Sequence, residues 1–151
     1  MKGTVLGERH SGILMAKLGF TLLTLLLLLL PALLCAAGYY QTIPAAEVAR
    51  IMKRADVVLL DLNVPELWEK SHLPGAVHVD SADIAQFLPA DRSATLIFYC
   101  AGPLCSASGM AANEAVLLGY RRVYVMTEGI FGWTRLGFPS VSAAQLRKRG
   151  R

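Results

Sequence analysis

Two short apolar runs, separated by helix-like patterns, constrain the fold of this 151-residue chain more than any other feature. Val57–Leu62 (VVLLDL) and Ala94–Tyr99 (ATLIFY) are rich in strand-forming residues and lack the regular apolar–polar alternation of a strand with one solvated face. They therefore predict strands that are buried on both faces. Because buried strands that alternate with helices form parallel sheets with helices on either side, the sequence predicts an α/β domain of that architecture.

The rest of the sequence supplies the other elements of this alternation. Turn residues and apolar spacing predict further strands at Tyr39–Ile43, Ala76–Val79 and Val123–Met126. Helices are predicted at Ala45–Arg54, Pro65–Lys70, Ser81–Leu88, Ala107–Leu118 and Gly129–Leu136, with Ser81 and Ser106 as N-terminal caps. In such a sheet, ligands bind beyond the carboxyl ends of the strands, which is where Cys100 stands in the predicted order.

The N-terminal segment has the composition of an export signal. Basic residues precede Leu18–Leu34, which is apolar at nearly every position, and small residues follow at Cys35–Ala37. We expect cleavage after Ala37, which makes residues 1–37 a signal peptide and residues 38–151 the mature domain. The apolar stretch is also at the short limit for a membrane span, so an uncleaved anchor is the alternative. Either outcome predicts an exported domain, periplasmic or attached to the inner membrane.

The charge pattern argues against a nucleic-acid partner. The formal net charge is +4, and basic residues concentrate at the C-terminus in Arg147–Arg151. Without that segment the body of the domain is slightly acidic, so a nucleic-acid surface is not indicated. We expect the domain core to span about residues 39–141 and a basic tail to span residues 142–151, whose last five residues, Arg147–Arg151, form a frayed and solvated end.

Cys100 is the residue with the most specific chemical setting. It follows the strand predicted at Ala94–Tyr99, and the helix predicted at Ala107–Leu118 begins shortly after it. A thiol at such a turn faces the positive end of a helix dipole and unpaired backbone N–H groups, both of which favour the reactive thiolate. A second thiol, Cys105, ends the same loop. This setting disfavours the alternative of a buried and inert core cysteine.

Motifs along the body of the chain resemble the rhodanese-like domain family. The matching residues are Asp61, Pro65-Glu66, Trp68, His72-Leu73-Pro74-Gly75-Ala76, Phe98-Tyr99-Cys100, Gly129-Ile130, Trp133, Gly137 and Pro139. The resemblance implies a small, single rhodanese-like domain that transfers sulfur through a persulfide on Cys100. It implies a small-molecule or protein sulfur donor, a thiol acceptor, and no cofactor or metal. The family also contains members without catalytic activity.

Three positions depart from the family pattern. Cys105 ends the six-residue loop where many single-domain members have arginine, although a subset of the family has cysteine there. Asn63 replaces a second arginine, and Glu128 replaces a glycine. The loss of the loop arginine disfavours a doubly charged donor such as thiosulfate. Phosphatases of this fold have a longer loop that ends in arginine, so we do not expect phosphatase activity.

The persulfide that the resemblance implies needs a pocket for its negative outer sulfur. Pro103 has no N–H group, so the candidate backbone donors are those of Ala101, Gly102, Leu104, Cys105 and Ser106. Asp61 and His72 are predicted to be structural residues near the site. Asp61 in particular needs hydrogen-bond donors if its carboxylate is buried at the end of its strand.

Three roles remain open for Cys105. It can be a neutral replacement for arginine, a partner that forms a disulfide with oxidised Cys100, or a metal ligand together with Cys100. A metal is disfavoured because no nearby run of Cys or His completes a ligand set. We hypothesise that Cys100 accepts sulfur when reduced and pairs with Cys105 when oxidised. The sequence therefore predicts an exported sulfurtransferase, with a thiol–disulfide redox protein and a non-catalytic binding module as alternatives.

Overall fold

The computed structural model describes residues 39–80 and 82–149, and the strands in this part of the chain form one parallel sheet of five. Their order across the sheet is β1-β5-β4-β2-β3. The strands are β1 (Gln41–Thr42), β2 (Val57–Asp61), β3 (Val77–His78), β4 (Thr95–Tyr99) and β5 (Arg122–Val125). The helices are α1 (Ala45–Ile51), α2 (Pro65–Lys70), α3 (Ala107–Leu117), α4 (Gly129–Arg135) and α5 (Ala143–Arg149), with a 3-10 turn at Ile84–Phe87.

Strand β4 lies at the centre of the sheet, and its side chains divide the core into two halves. β2 and β5 flank it, and every residue of β4 is buried. Leu96 and Phe98 pack on one face with α3, whereas Ile97 and Tyr99 pack on the other face with α1 and α4. The predicted α/β architecture, a parallel sheet with helices on both faces, is therefore confirmed.

The predicted elements form at the expected places, but one of them changes type. The segment predicted as a helix at Ser81–Leu88 is a 3-10 turn, in which the Asp83 carboxylate accepts a hydrogen bond from the Ala85 N–H at 3.1 Å. Ser81 lies outside the described residues, and so does the signal or anchor predicted at residues 1–37. Within residues 39–80 and 82–149, no helix is long and apolar enough to cross a bilayer.

The C-terminal segment differs most from the expected frayed tail, because Ala143–Arg149 form α5. Ser142 and Gln145 cap this helix reciprocally. The Gln145 side-chain oxygen accepts from the Ser142 N–H at 2.8 Å, and the Gln145 N–H donates to the Ser142 hydroxyl at 3.3 Å. Arg147 also lies 3.9 Å from Glu69 of α2. The Ser-x-x-Gln spacing is thus a helix-start signal that outweighs the charge of the tail.

Candidate active site

Cys100 stands at the carboxyl end of the central strand, immediately after Tyr99. A disulfide joins it to Cys105, five residues further along the chain, and the two Cα atoms are 6.3 Å apart. We call residues Cys100–Cys105 the cysteine loop. Cys100 is only 2% exposed, whereas Cys105 is partly exposed. The structure therefore brings the two predicted thiols together in their oxidised form, with one sulfur more deeply buried than the other.

The start of α4 holds the first two residues of the cysteine loop. The Ile130 N–H donates to the Cys100 carbonyl at 2.9 Å, and the Phe131 N–H donates to the Ala101 carbonyl at 3.1 Å. Gly129 permits this approach, because a Cβ atom there would lie 2.5 Å from backbone atoms of Cys100 and Ala101. Gly129 also has a φ of +59°, which favours glycine. Backbone contacts therefore fix the position of Cys100.

Four of the five predicted anion donors lie in the cysteine loop and the fifth, Ser106, follows it, but one of the five is already used. The Cys105 N–H donates to the Gly102 carbonyl at 3.0 Å, which closes a turn inside the disulfide-bonded loop. The N–H groups of Ala101, Gly102, Leu104 and Ser106 donate no hydrogen bond to another residue in the described part of the chain. Four of the five candidate donors are thus unspent. Ser106 occupies the N-cap position of α3, but its hydroxyl makes no capping bond, contrary to the prediction.

Ser108 is a site residue that the sequence analysis missed. It lies in the first turn of α3, is 3% exposed, and places its hydroxyl oxygen 3.4 Å from the Cys100 sulfur. Because a disulfide sulfur carries no proton, the Ser108 hydroxyl is the donor in this pair. The Cys105 carbonyl oxygen lies at the same distance, 3.4 Å, from the Cys100 sulfur. The sequence signal that could have identified Ser108 is its position in the first turn of the predicted helix, on the side that faces the sheet.

Two cavities flank the cysteine loop. One, of about 370 Å³, lies toward α3 and is lined by Cys105, Ser108, Tyr40, Asn113 and Thr127 among others. The other, of about 380 Å³, is lined by Ala101, Gly102, Pro103, Leu104, Cys105 and Phe131.

The walls of both cavities are uncharged. No lysine, arginine, aspartate or glutamate lines either of them. Leu104 is fully exposed, and Phe131 is 60% exposed, so the second cavity has an apolar rim. Met110 is also exposed and lies beside the first cavity.

Asp61 ends β2 directly beside Tyr99, so its strand partner immediately precedes Cys100. Its carboxylate is fully buried and accepts a hydrogen bond from the Asn63 N–H at 2.7 Å. Burial raises the pKa of Asp61, although Tyr99 and Asn63 oppose the shift. Burial and the nearby Asp61 also raise the pKa of Tyr99, whose hydroxyl accepts from the Leu73 N–H at 3.0 Å. These bonds join β2 and β4 to the turn after α2, which fits a structural role.

His72 belongs to the edge of the fold near the C-terminal segment. Its imidazole stacks on Trp68 with ring centroids 3.6 Å apart, and its Nδ1 lies 2.8 Å from the Trp68 carbonyl oxygen. Its backbone pairs with Val141 in an isolated antiparallel bridge. His72 is thus a packing residue that holds the segment before α5, and these contacts do not involve the cysteine loop.

Glu128, the residue that replaces the family's glycine, connects two helices. Its side-chain oxygen accepts a hydrogen bond from the Ala45 N–H at 3.1 Å, which caps α1 from the residue that precedes α4. The Glu128 carbonyl oxygen also lies 3.7 Å from the position of a Cβ atom on Gly102. The described residues contain no group of three or more His, Cys, Asp or Glu side chains arranged to hold a metal ion.

Comparison with known proteins places this site in a family. The family described as "Rhodanese-like domain" matches residues 44–136. The thiosulfate sulfurtransferase GlpE of Pseudomonas syringae pv. syringae is 33% identical over 95 residues, which cover 62% of this chain and 87% of that protein.

Solved structures share the fold. A thiosulfate sulfurtransferase from Pseudomonas aeruginosa superposes with a TM-score of 0.61 at 23% identity, over 70% of this chain and 20% of the other. The polysulfide-sulfur transferase homodimer from Wolinella succinogenes superposes with a TM-score of 0.59 at 17% identity, over 70% and 80%. At these identities the likeness is one of fold.

Proposed function

The chain belongs to the rhodanese-like domain family, and from that premise we propose that it is a sulfurtransferase that carries sulfane sulfur on Cys100. The observation that carries the proposal is the position of this residue. Cys100 directly follows the central parallel strand and precedes the N-terminus of α3, and two backbone hydrogen bonds from α4 fix Cys100 and Ala101. A loop in that place can stabilise a sulfur anion with main-chain donors.

The proposed reaction has two displacement steps. The Cys100 thiolate attacks the sulfane sulfur of the donor, a sulfur–sulfur bond forms, and the remainder of the donor leaves with the bonding electron pair. A thiolate acceptor then attacks the outer sulfur of the persulfide, and Cys100 leaves as the thiolate. The unspent N–H groups of Ala101, Gly102, Leu104 and Ser106 are the proposed donors to the outer sulfur. No cofactor or metal takes part in either step.

The cysteine loop favours sulfur donors that carry fewer than two negative charges. The cavities on both sides of the loop have no cationic side chain, and Cys105 stands where arginine is usual. Main-chain dipoles alone stabilise a single anionic sulfur better than a free dianion, which loses more solvation on entering the cavity. We therefore propose organic persulfides, which carry at most one negative charge on the sulfur chain, as donors and a thiol as acceptor. We also propose that the domain works outside the cytoplasm, as the apolar N-terminal segment suggests.

The disulfide favours a second candidate function, thiol–disulfide exchange. Cys100 and Cys105 are already paired, so the loop can accept two electrons from a pair of external thiols. The two functions are compatible, because reduction of this disulfide would supply the thiolate that sulfur transfer needs.

Intact-mass spectrometry of the full chain tests the proposal. The reduced protein, freed of reductant, is incubated with a small alkyl persulfide and then measured. We expect a gain of about 32 Da, and a loss of that gain when an acceptor thiol is added. The Cys100→Ser variant should gain nothing. Absence of the gain in the wild-type protein would refute a persulfide on Cys100.

The Cys105→Ser variant separates the two candidate functions. If sulfur transfer is the main activity, this variant should keep the mass gain and its transfer to the acceptor thiol. If thiol–disulfide exchange is the main activity, the variant should lose turnover with a disulfide substrate. The same preparations serve both assays, so a folding defect would appear in both.

A further inference from the structure

The two sulfurs of the cysteine loop differ in their access to solvent. Cys105 lines both cavities, whereas Cys100 lines neither and is 2% exposed. An external group that reaches the disulfide through either cavity therefore meets the Cys105 sulfur first. Thiol–disulfide exchange depends on which sulfur is attacked and on access to it, so this asymmetry has a chemical consequence.

The buried side of the disulfide is suited to a leaving thiolate. The Ser108 hydroxyl lies 3.4 Å from the Cys100 sulfur and is itself 3% exposed. When the disulfide opens with Cys100 as the leaving group, this hydroxyl can donate to the new anion without moving. Cys105 has no side-chain hydroxyl at hydrogen-bond distance in the described residues, so the loop favours Cys100 over Cys105 as the sulfur that takes the charge.

We propose that external thiols open the cysteine loop by attack on Cys105, and that Ser108 stabilises the Cys100 thiolate that this attack releases. The attacking thiolate forms a new bond to the Cys105 sulfur as the bond between the two cysteines breaks. The electron pair of the broken bond stays on Cys100. A second thiolate then displaces the first from Cys105, yielding an external disulfide and a fully reduced loop. Cys105 is thus the entry residue, and Ser108 is a positioning residue.

This inference rests on the proposed thiol chemistry of the same loop, but not on sulfur transfer. It gives a role to Cys105, the cysteine that replaces arginine. The external thiol attacks Cys105, and Cys100 is released as the thiolate that attacks a sulfur donor. The inference can therefore fail while Cys100 still carries a persulfide, and the reverse also holds.

Trapping the mixed disulfide tests the order of attack. The oxidised full chain is exposed briefly to reduced glutathione, quenched with acid, and alkylated with N-ethylmaleimide before fragmentation mass spectrometry. We expect glutathione on Cys105 and maleimide on Cys100, in an excess of about tenfold over the reverse arrangement. Glutathione mainly on Cys100 would overturn the proposal. So would free thiols at both Cys100 and Cys105 after oxidation, because no disulfide would then exist to be opened.

The role of Ser108 has its own measurement. In a Cys105→Ser background, the rate of Cys100 alkylation is followed against pH in variants with and without Ser108→Ala. Loss of a hydrogen bond to a charged group should shift the midpoint of this profile upward by about one pH unit, and should slow opening of the wild-type disulfide about tenfold.

Thr95→Val is the matched control for Ser108→Ala. Thr95 is also buried, at the opposite end of β4, and its hydroxyl donates to Asp56 at 3.3 Å. Its loss should leave the pH profile of Cys100 unchanged even if it lowers the melting temperature. An unchanged profile in Ser108→Ala, or an equal shift in Thr95→Val, would refute the positioning role.

Discussion

Two aspartates at the two ends of β2 lie in contrasting electrostatic environments. Asp56 precedes the strand, is 33% exposed, and pairs with Arg54 at 3.0 Å and Arg122 at 3.5 Å. Asp61 ends the strand, is fully buried, and has no cationic side chain among its hydrogen-bond partners in the described residues. The hydrogen bond from Arg54 holds the pKa of Asp56 below its usual range, whereas burial raises the pKa of Asp61.

The comparison shows that ion pairs and the reactive cysteines lie at opposite ends of the central strands. Ion pairs lie where the central strands begin, whereas the cavities at the carboxyl ends, beside the cysteine loop, have uncharged walls. An anion that forms at the cysteine loop therefore depends on N–H groups, a helix terminus and one hydroxyl. Such a site stabilises a thiolate or a persulfide without attracting free dianions from solution.

The largest expected effect comes from Gly129→Ala, at the end of the sheet that carries the site. Its Cβ atom would lie 2.5 Å from the backbone of Cys100 and Ala101, so the cysteine loop or α4 must move. We expect a loss of about 2–4 kcal/mol in the free energy of unfolding, and a loss of sulfur transfer of about a hundredfold. Denaturant melts and transfer kinetics measure the two effects.

Gly119→Ala is the matched control at the opposite end. Gly119 also has a positive φ, +94°, but a Cβ atom there meets nothing within 4 Å. This variant should lose only about 1–2 kcal/mol of stability, with sulfur transfer unchanged. If the two variants lose activity equally, contact between α4 and the cysteine loop does not position Cys100.

A smaller effect should follow from adding a cation to the uncharged end. Cys105→Arg restores the residue that many relatives have, and its guanidinium can form charge-assisted hydrogen bonds with an anionic donor. We expect kcat/KM for thiosulfate to rise about tenfold relative to kcat/KM for a small alkyl persulfide, which carries at most one negative charge. Cys105→Ser, which removes the thiol without adding charge, should leave that ratio unchanged. A ratio that stays constant in both variants would mean that the missing arginine does not set donor preference.

The smallest expected effects are changes in the pH dependence of stability, and they should have opposite signs. Folding raises the pKa of Asp61, so the folded state loses stability as the pH rises from the usual carboxyl range through that raised value. Folding lowers the pKa of Asp56, so its contribution is present above the usual carboxyl range and is lost as the pH falls through the lowered value.

Denaturant melts between acidic and neutral pH measure both slopes. Asp61→Asn should remove the decline in stability on the neutral side, and Asp56→Asn should remove the decline on the acidic side. If both substitutions removed a decline in stability on the same side of the pH range, the contrast between the two ends of β2 would be contradicted.

Much of the fold could be predicted because its signals are local. The apolar runs that form β2 and β4 predict buried strands. The turn between β4 and α3 is predicted from the sequence alone, and it places Cys100 at the carboxyl end of the sheet. The family motifs added the expected chemistry. What could not be predicted depends on distant contacts. The hydroxyl of Ser108 reaches Cys100 only because α3 packs back on the sheet, and the approach of Gly129 follows from the pairing of β4 with β5.

Two local predictions failed for the same kind of reason. The position of Ser106 before α3 predicted a capping side chain, but its hydroxyl makes no capping hydrogen bond. The charge of the last residues suggested a frayed end, whereas the reciprocal cap between Ser142 and Gln145 starts a helix there. In each case a single sequence pattern was interpreted alone. Neighbouring contacts decide whether a side chain caps a helix and whether a terminal segment is ordered.

The hydrogen bonds from Ile130 and Phe131 to the cysteine loop have a consequence for how the protein is made. The two residues that hold Cys100 and Ala101 leave the ribosome about thirty positions later than the loop itself. Until they emerge, the nascent chain contains both thiols but lacks the frame that aligns them. We therefore expect the two cysteines to be held in their paired arrangement only late in synthesis, once Ile130 and Phe131 can form these hydrogen bonds.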